Sequence, residues 1–91
     1  MNEFNQKRFS MYLESAFRLI KVAMNDLNAG VLKDAKQELD EAYRDLNDMS
    51  IEIDKLDKSD NRHEDLTFWL TVTRCRYNEA YNAYLKAAGI I

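Results

Sequence analysis

Residues 33–56 read KDAKQELDEAYRDLNDMSIEIDKL. Together with Leu32 before them, Ala35, Leu39, Ala42, Leu46, Met49, Ile53 and Leu56 recur in alternating steps of three and four. A helix turns once in about 3.6 residues, so this alternation draws one apolar seam along its length. A second stripe runs beside the seam. Asp34, Glu38, Glu41, Asp45, Asp48 and Glu52 each precede a seam residue, which sets six carboxylates in a row on one flank. The segment is therefore a helix with an apolar edge and an acidic edge, and both the fold and the function turn on what meets each of them.

Working outward, the same alternation occurs upstream in Phe9, Leu13, Ala16, Ile20, Ala23 and Leu27. It stops at Asn28-Ala29-Gly30, where glycine can take the left-handed conformation that ends a helix. Downstream, the polar stretch DKSDNRHED (57–65) separates the second helix from a third. Asn61 followed by Glu64 has the spacing of a capping box that would start it. Leu66, Leu70, Thr73, Tyr77, Ala80, Tyr84 and Ala87 then form the third seam, with Gly89 placed to close it. The expectation is an all-α, up-down-up three-helix bundle, with helices at about 5–29, 32–57 and 62–88 in a single domain over residues 1–91. The absence of proline and a total of two glycines agree, because a β-protein of 91 residues needs more turn residues.

Alanine spacing sets a register for the first hairpin. Facing residues of an antiparallel pair have a constant sum of residue numbers, and Ala23 then faces Ala35, Ala16 faces Ala42, and Phe9 faces Met49. Small meets small, so the first two helices should pack closely. The spacing of Gly30, Ala35, Leu39 and Ala42 resembles the turn and second helix of a tetratricopeptide-like repeat. The aromatic and glycine of that repeat's first helix are missing and no second copy follows at its period, so the resemblance is one of hairpin architecture, not kinship.

Composition narrows the chemistry. Hydrophobic residues make up 46% of the chain and charged residues 32%, with a net charge of −3, which describes a folded, mildly acidic protein. No apolar run approaches the roughly 18 residues of a membrane span, and MNEFNQKRFS (1–10) lacks the apolar centre of a signal peptide. With the lone Cys75, this leads to the expectation of a cytoplasmic protein with no membrane contact. His63 in NRHEDLT (61–67) begins like a zinc-binding helix motif, but Thr67 stands where the second imidazole is needed, so no metal or cofactor is expected. Cys75 lies between Arg74 and Arg76, one turn from Val72 and Glu79, and reads as a partly buried, inert thiol. No nucleophile–base pair or phosphate-binding loop has a readable spacing, so the chain is not expected to be an enzyme. Direct nucleic-acid binding calls for a basic stripe. Helix 1 and its leader set Lys7, Arg8, Arg18 and Lys21 against Glu3, Glu14 and Asp26, which is no strong field.

The acidic flank thus carries the functional expectation. Between Lys33 and Asp57 there are nine acids and four bases, and neighbouring carboxylates at these spacings repel by about 0.2–0.5 kcal/mol each. On the same side of the hairpin lie Tyr12, Leu19 and Val22 of helix 1. On the other side lie Phe17 and Met24 with Tyr43. Helix 3 fills one groove. If it covers Phe17, Met24 and Tyr43, an apolar strip stays open beside the acids. If it covers Tyr12, Leu19 and Val22, Arg74 and Arg76 can neutralise them. The first arrangement is expected, with Asp34, Glu38, Glu41, Asp45, Asp48 and Glu52 joined by Tyr12, Leu19 and Val22 as partner-binding residues, and with the interface-type Tyr81, off the seam of the third helix, on a second candidate surface. The chain then reads as a non-enzymatic protein-binding module, such as a small acidic inhibitor occupying a basic or nucleic-acid-binding surface of a larger protein. The rival expectation is a self-associating bundle whose surplus aromatic residues form a homodimer or higher assembly.

Overall fold

The computed structural model describes residues 3–91. It consists of three α-helices, α1 (Gln6–Asn28), α2 (Leu32–Asp54) and α3 (Asn61–Ala87), arranged as a bundle measuring 44 × 19 × 16 Å. The three seams point inward, except at the end of the third, where Ala87 is exposed. Phe9, Ala16, Ile20 and Ala23 of α1 are buried, as are Ala35, Leu39, Ala42, Leu46, Met49 and Ile53 of α2 and Leu66, Leu70, Thr73 and Ala80 of α3.

The α1–α2 pairing is the most intimate of the three, and the alanine row explains why. Ala16, Ala23, Ala35 and Ala42 are each completely buried, so the two backbones approach closely. Two facing pairs of the expected register, Phe9 with Met49 and Ala23 with Ala35, each share a core cluster. Phe9 and Met49 join Leu46, Ile53, Leu56, Leu66 and Leu70 at one end, while Ile20, Ala23, Ala35, Leu39, Ala42 and Ala80 form the other. The core is therefore asymmetric, with large side chains at the α2–α3 loop end and alanines near the α1–α2 turn.

That turn is a Schellman motif. The Val31 N–H donates to Asp26 O at 2.8 Å and the Gly30 N–H to Leu27 O at 3.1 Å, with Gly30 at φ +79°. A Cβ on Gly30 would meet no neighbour, so only the backbone conformation resists substitution. Gly30→Ala is expected to destabilise by about 1 kcal/mol, lowering Tm by about 4–8 °C in thermal unfolding.

Three expected details change. α2 ends at Asp54 and not near Asp57, because Lys55 N–H and Leu56 N–H reach back only three residues, to Glu52 O and Ile53 O, and tighten the last turn. Leu56 stays buried nonetheless. α3 is capped one residue earlier than expected, by Asp60. Its Oδ1 accepts the Arg62 N–H at 2.9 Å, and both its oxygens pair with the Arg62 guanidinium, a stronger arrangement than an uncharged Asn61 cap offers. Cys75 is exposed, not partly buried: it lies two residues beyond Thr73 and about 200° around the helix, away from the bundle. Among the described residues, no helix is long and apolar enough to cross a membrane.

Candidate functional site

α3 lies on the side of Phe17, Met24 and Tyr43 but covers them only in part, leaving Met24 36% and Tyr43 52% exposed. The Tyr77 ring lies 5.7 Å from that of Tyr43, and Arg76, Glu79 and Ala80 share a cleft with Phe17 and Met24. Tyr77 stacks in turn on Tyr81 at 5.8 Å, and Tyr81 packs beside Tyr84 at 6.0 Å, so a tyrosine ladder follows the α2–α3 boundary. Burial pushes the Tyr77 hydroxyl up to about 12. Tyr81 borders a small depression with Asp40, Tyr43 and Arg44. It therefore belongs to the side opposite the acidic flank and does not join Tyr12, Leu19 and Val22.

Those three residues lie on the face that α3 leaves uncovered. Tyr12 and Leu19 are half-buried, with their inner edges packed on the two core clusters, and Val22 is 37% exposed. Beside them the acidic flank divides by depth. Asp34 and Glu41 are exposed, Glu38, Asp45 and Asp48 are half-buried, and Glu52 is only 2% exposed.

Glu52 is employed within the protein. Its Oε1 accepts the Asn5 N–H at 3.0 Å, and its Oε2 lies 2.8 Å from Lys55 Nζ and 3.5 Å from Arg8 Nη1. Asn5 in turn caps α1, its Oδ1 accepting the Arg8 N–H at 2.9 Å. Burial alone would raise the Glu52 carboxyl, but the Lys55 ammonium, the Asn5 N–H and Arg8 outweigh it and hold it below its ordinary 4.5. Glu52 thus pins the start of α1 to the end of α2 and presents no carboxylate to a partner.

The other five lack such partners. Among the described residues, none of Asp34, Glu38, Glu41, Asp45 or Asp48 forms an ion pair within 4.0 Å; the pairs present are Arg8–Glu52, Lys36–Asp40, Lys55–Glu52 and Arg62–Asp60. Near the turn Glu38 approaches Asp26 of α1, whose backbone carbonyl is held by the Schellman motif. Two carboxyl groups share a hydrogen bond only when one of them keeps a proton. Burial, the bond to Asp26, and the charges of Asp26, Asp34 and Glu41 push the Glu38 carboxyl up to about 7. One of its oxygens, Oε1, is buried without a protein partner, as is Asp45 Oδ2. Burial also pushes Asp45 up, reinforced by Asp48 and Glu41 and opposed by Ser15 and Arg18. The position of Asp26 on the shared flank is legible in the chain, but its approach to Glu38 across the hairpin is not visible in the spacing.

The sign of the pH dependence follows. Below about 4.5 both folded and unfolded states hold the Glu38 proton. Between 4.5 and about 7 only the folded state holds it, so stability falls as pH rises through this window and then levels. Glu52, being depressed, works oppositely and loses its contribution as pH falls below 4.5. Urea unfolding across pH is therefore expected to show greatest stability near pH 5, with a loss on the order of 1 kcal/mol by pH 8. Glu38→Gln should remove most of that loss and leave stability at pH 4 nearly unchanged.

Compared with models of known protein families, with curated proteins and with solved structures, the chain finds no match.

Proposed function

We propose that this protein is a non-enzymatic protein-binding module whose contact surface is the acidic flank of α2 together with Tyr12, Leu19 and Val22 of α1, and that its partner presents a basic surface. The supporting observation is the set of five carboxylates, Asp34 to Asp48, without an ion pair within 4.0 Å among the described residues, on the side of the hairpin away from α3. Like charges in a row repel, and a partner's lysines and arginines relieve that repulsion on docking. The apolar side chains between them supply the dry contact that gives such a surface affinity beyond charge steering. The basic surface that suits this flank best is one that otherwise carries nucleic acid, and an inhibitor occupying it is the specific form of the proposal.

The test is a chain carrying Asp34→Asn, Glu38→Gln, Glu41→Gln and Asp45→Asn, compared with the unaltered chain in affinity capture from native host extract. The variant loses like-charge repulsion, so it should melt no lower than the parent at pH 8, and unfolding does not account for lost binding. The expected result is at least a tenfold fall in recovery of a basic partner, together with a steep salt dependence for the parent. Recovery of the same partners by both chains contradicts the proposal.

Self-association is the second reading, favoured by exposed Phe68 at 60%, Trp69 at 45%, Ile90 at 62% and Ile91 at 69%. A second copy of the chain would cover these residues. Light scattering separates the two, since a tight assembly that persists at high salt supports self-association and a monomer opposes it.

A further inference from the structure

α1 and α3 form the loosest pairing in the bundle, and an open cleft of about 580 Å3 lies between them. Its floor is Ile20 and Ala80, both buried, and its walls are the half-buried Phe17 and the 36% exposed Met24. Ala80 explains the opening: it lets α3 approach the alanine-rich end of the hairpin but fills little of the space beside Phe17 and Met24. Around the rim stand Arg18, Lys21 and Arg76, opposed by Glu79. Among the described residues, none of these three cations forms an ion pair within 4.0 Å. Lys21 and Arg76 project from different helices, so the cleft has a positive charge on each lip.

From this geometry we infer that the cleft is a binding site for a small amphiphilic anion, a molecule with an aliphatic or aromatic body and a single carboxylate. The apolar body covers Phe17, Met24 and the Ile20–Ala80 floor, and the carboxylate pairs with Lys21 and Arg76. Charge complementarity selects the anion: Arg18 also acts on Asp45, but Lys21 and Arg76 against the single carboxylate of Glu79 still leave a net positive rim, and a guanidinium binds a carboxylate through paired hydrogen bonds. Size selects a small molecule. The volume is that of ordinary ligand pockets, and Phe17 to Asn25 spans about two helical turns, roughly 12 Å, which suits a decanoate-length chain better than a docked helix. This site lies between α1 and α3, shares with the acidic flank only the neighbourhood of Arg18, and stands or falls separately from the proposed function.

The probe is decanoate below its micellar concentration, titrated into the full chain by two-dimensional amide NMR. Saturable shifts are expected at Lys21, Met24, Arg76 and Ala80, with decanol binding at least tenfold more weakly than decanoate. Met24→Glu and the pair Lys21→Glu with Arg76→Glu, all at exposed positions, should each weaken decanoate binding tenfold or more, with circular dichroism reporting that the variants fold. Three results overturn the inference: shifts that do not saturate, shifts centred on Asp34 to Asp48, or equal binding of decanol and decanoate. The comparison with decanol uses the unaltered chain, so it decides the matter even where a variant fails to fold. An acidic amphipathic peptide that displaces decanoate and binds at least tenfold more tightly would also overturn it, reassigning the cleft to a partner's helix.

Discussion

Glu52→Ala is expected to destabilise the bundle by about 3 kcal/mol, read as the shift in urea midpoint at pH 6. The side chain is 2% exposed and answers three groups, the Asn5 N–H, Lys55 Nζ and Arg8 Nη1. Removing it leaves a backbone donor without its acceptor and a lysine, with a side chain 16% exposed, beside a small void. Arg8 is half exposed and contributes little, which keeps the value near the low end for broken buried pairs. Glu52→Gln retains an acceptor for Asn5 and should lose about half as much. Glu52→Leu should not recover the stability, because a well-shaped apolar side chain still leaves the Asn5 N–H unanswered. If Glu52→Ala changes the midpoint by less than about 1 kcal/mol, the pinning of α1 to α2 through Asn5 is refuted.

Phe9→Ala is expected to cost about 3–5 kcal/mol, the range for deleting a fully buried aromatic ring. Phe9 is 1% exposed and belongs to the cluster in which all three helices contribute large side chains, with Leu46, Met49, Ile53 and Leu56 from α2 and its end and Leu66 and Leu70 from α3. The other end of the bundle has no equivalent, since alanines fill most of its core. In a chain of 91 residues a loss of this size lowers Tm by well over 10 °C, and a scan of circular dichroism against temperature checks it. Tyr12, Leu13 and Phe4 pack on the same cluster and limit how far the cavity can collapse. A variant that melts within a few degrees of the parent would show that the large-residue end is not the main source of stability.

These two positions also mark how much of the structure is legible in the chain. Phe9 announces itself, because it opens a seam of regular three and four steps, and the alanine spacing pairs it with Met49. The backbone plan is legible for the same reason: burial follows the seam, and helix ends follow the two glycines. Glu52, by contrast, looks in the sequence like one more carboxylate of a periodic stripe. Periodicity reports which residues share a helix face, but the groups that claim Glu52 include Asn5 and Arg8, more than forty residues away in the chain and brought to it only by folding.

The choice of groove is legible only as a pair of alternatives. Phe17, Met24 and Tyr43 and the set Tyr12, Leu19 and Val22 are both apolar and each contains one tyrosine, so residue type alone does not decide between them. Tyr77 meeting Tyr43 belongs to the groove that α3 occupies, and no spacing within either helix announces that contact. Spacing sets Tyr81 off the third seam, and the structure places it beside Asp40, Tyr43 and Arg44, apart from the acidic flank. Cys75 departs from expectation more simply: Val72, one turn away, is itself only half-buried and Glu79 is exposed, so that face of the helix turns away from the core.

The acidic flank and its apolar strip are the central claim, and carboxyl footprinting tests them most directly. The chain is labelled at its reactive carboxylates by carbodiimide and an amine, free and then in its captured complex, and read by mass spectrometry. In the free chain, Asp34 and Glu41, both exposed, should label readily, Asp48 less so, and Glu52 scarcely. In the complex, labelling at Asp34, Glu41 and Asp48 should fall severalfold while Glu64, Asp65 and Glu79 on α3 label as before. Protection of the α3 carboxylates, with Asp34, Glu41 and Asp48 unchanged, would contradict the account.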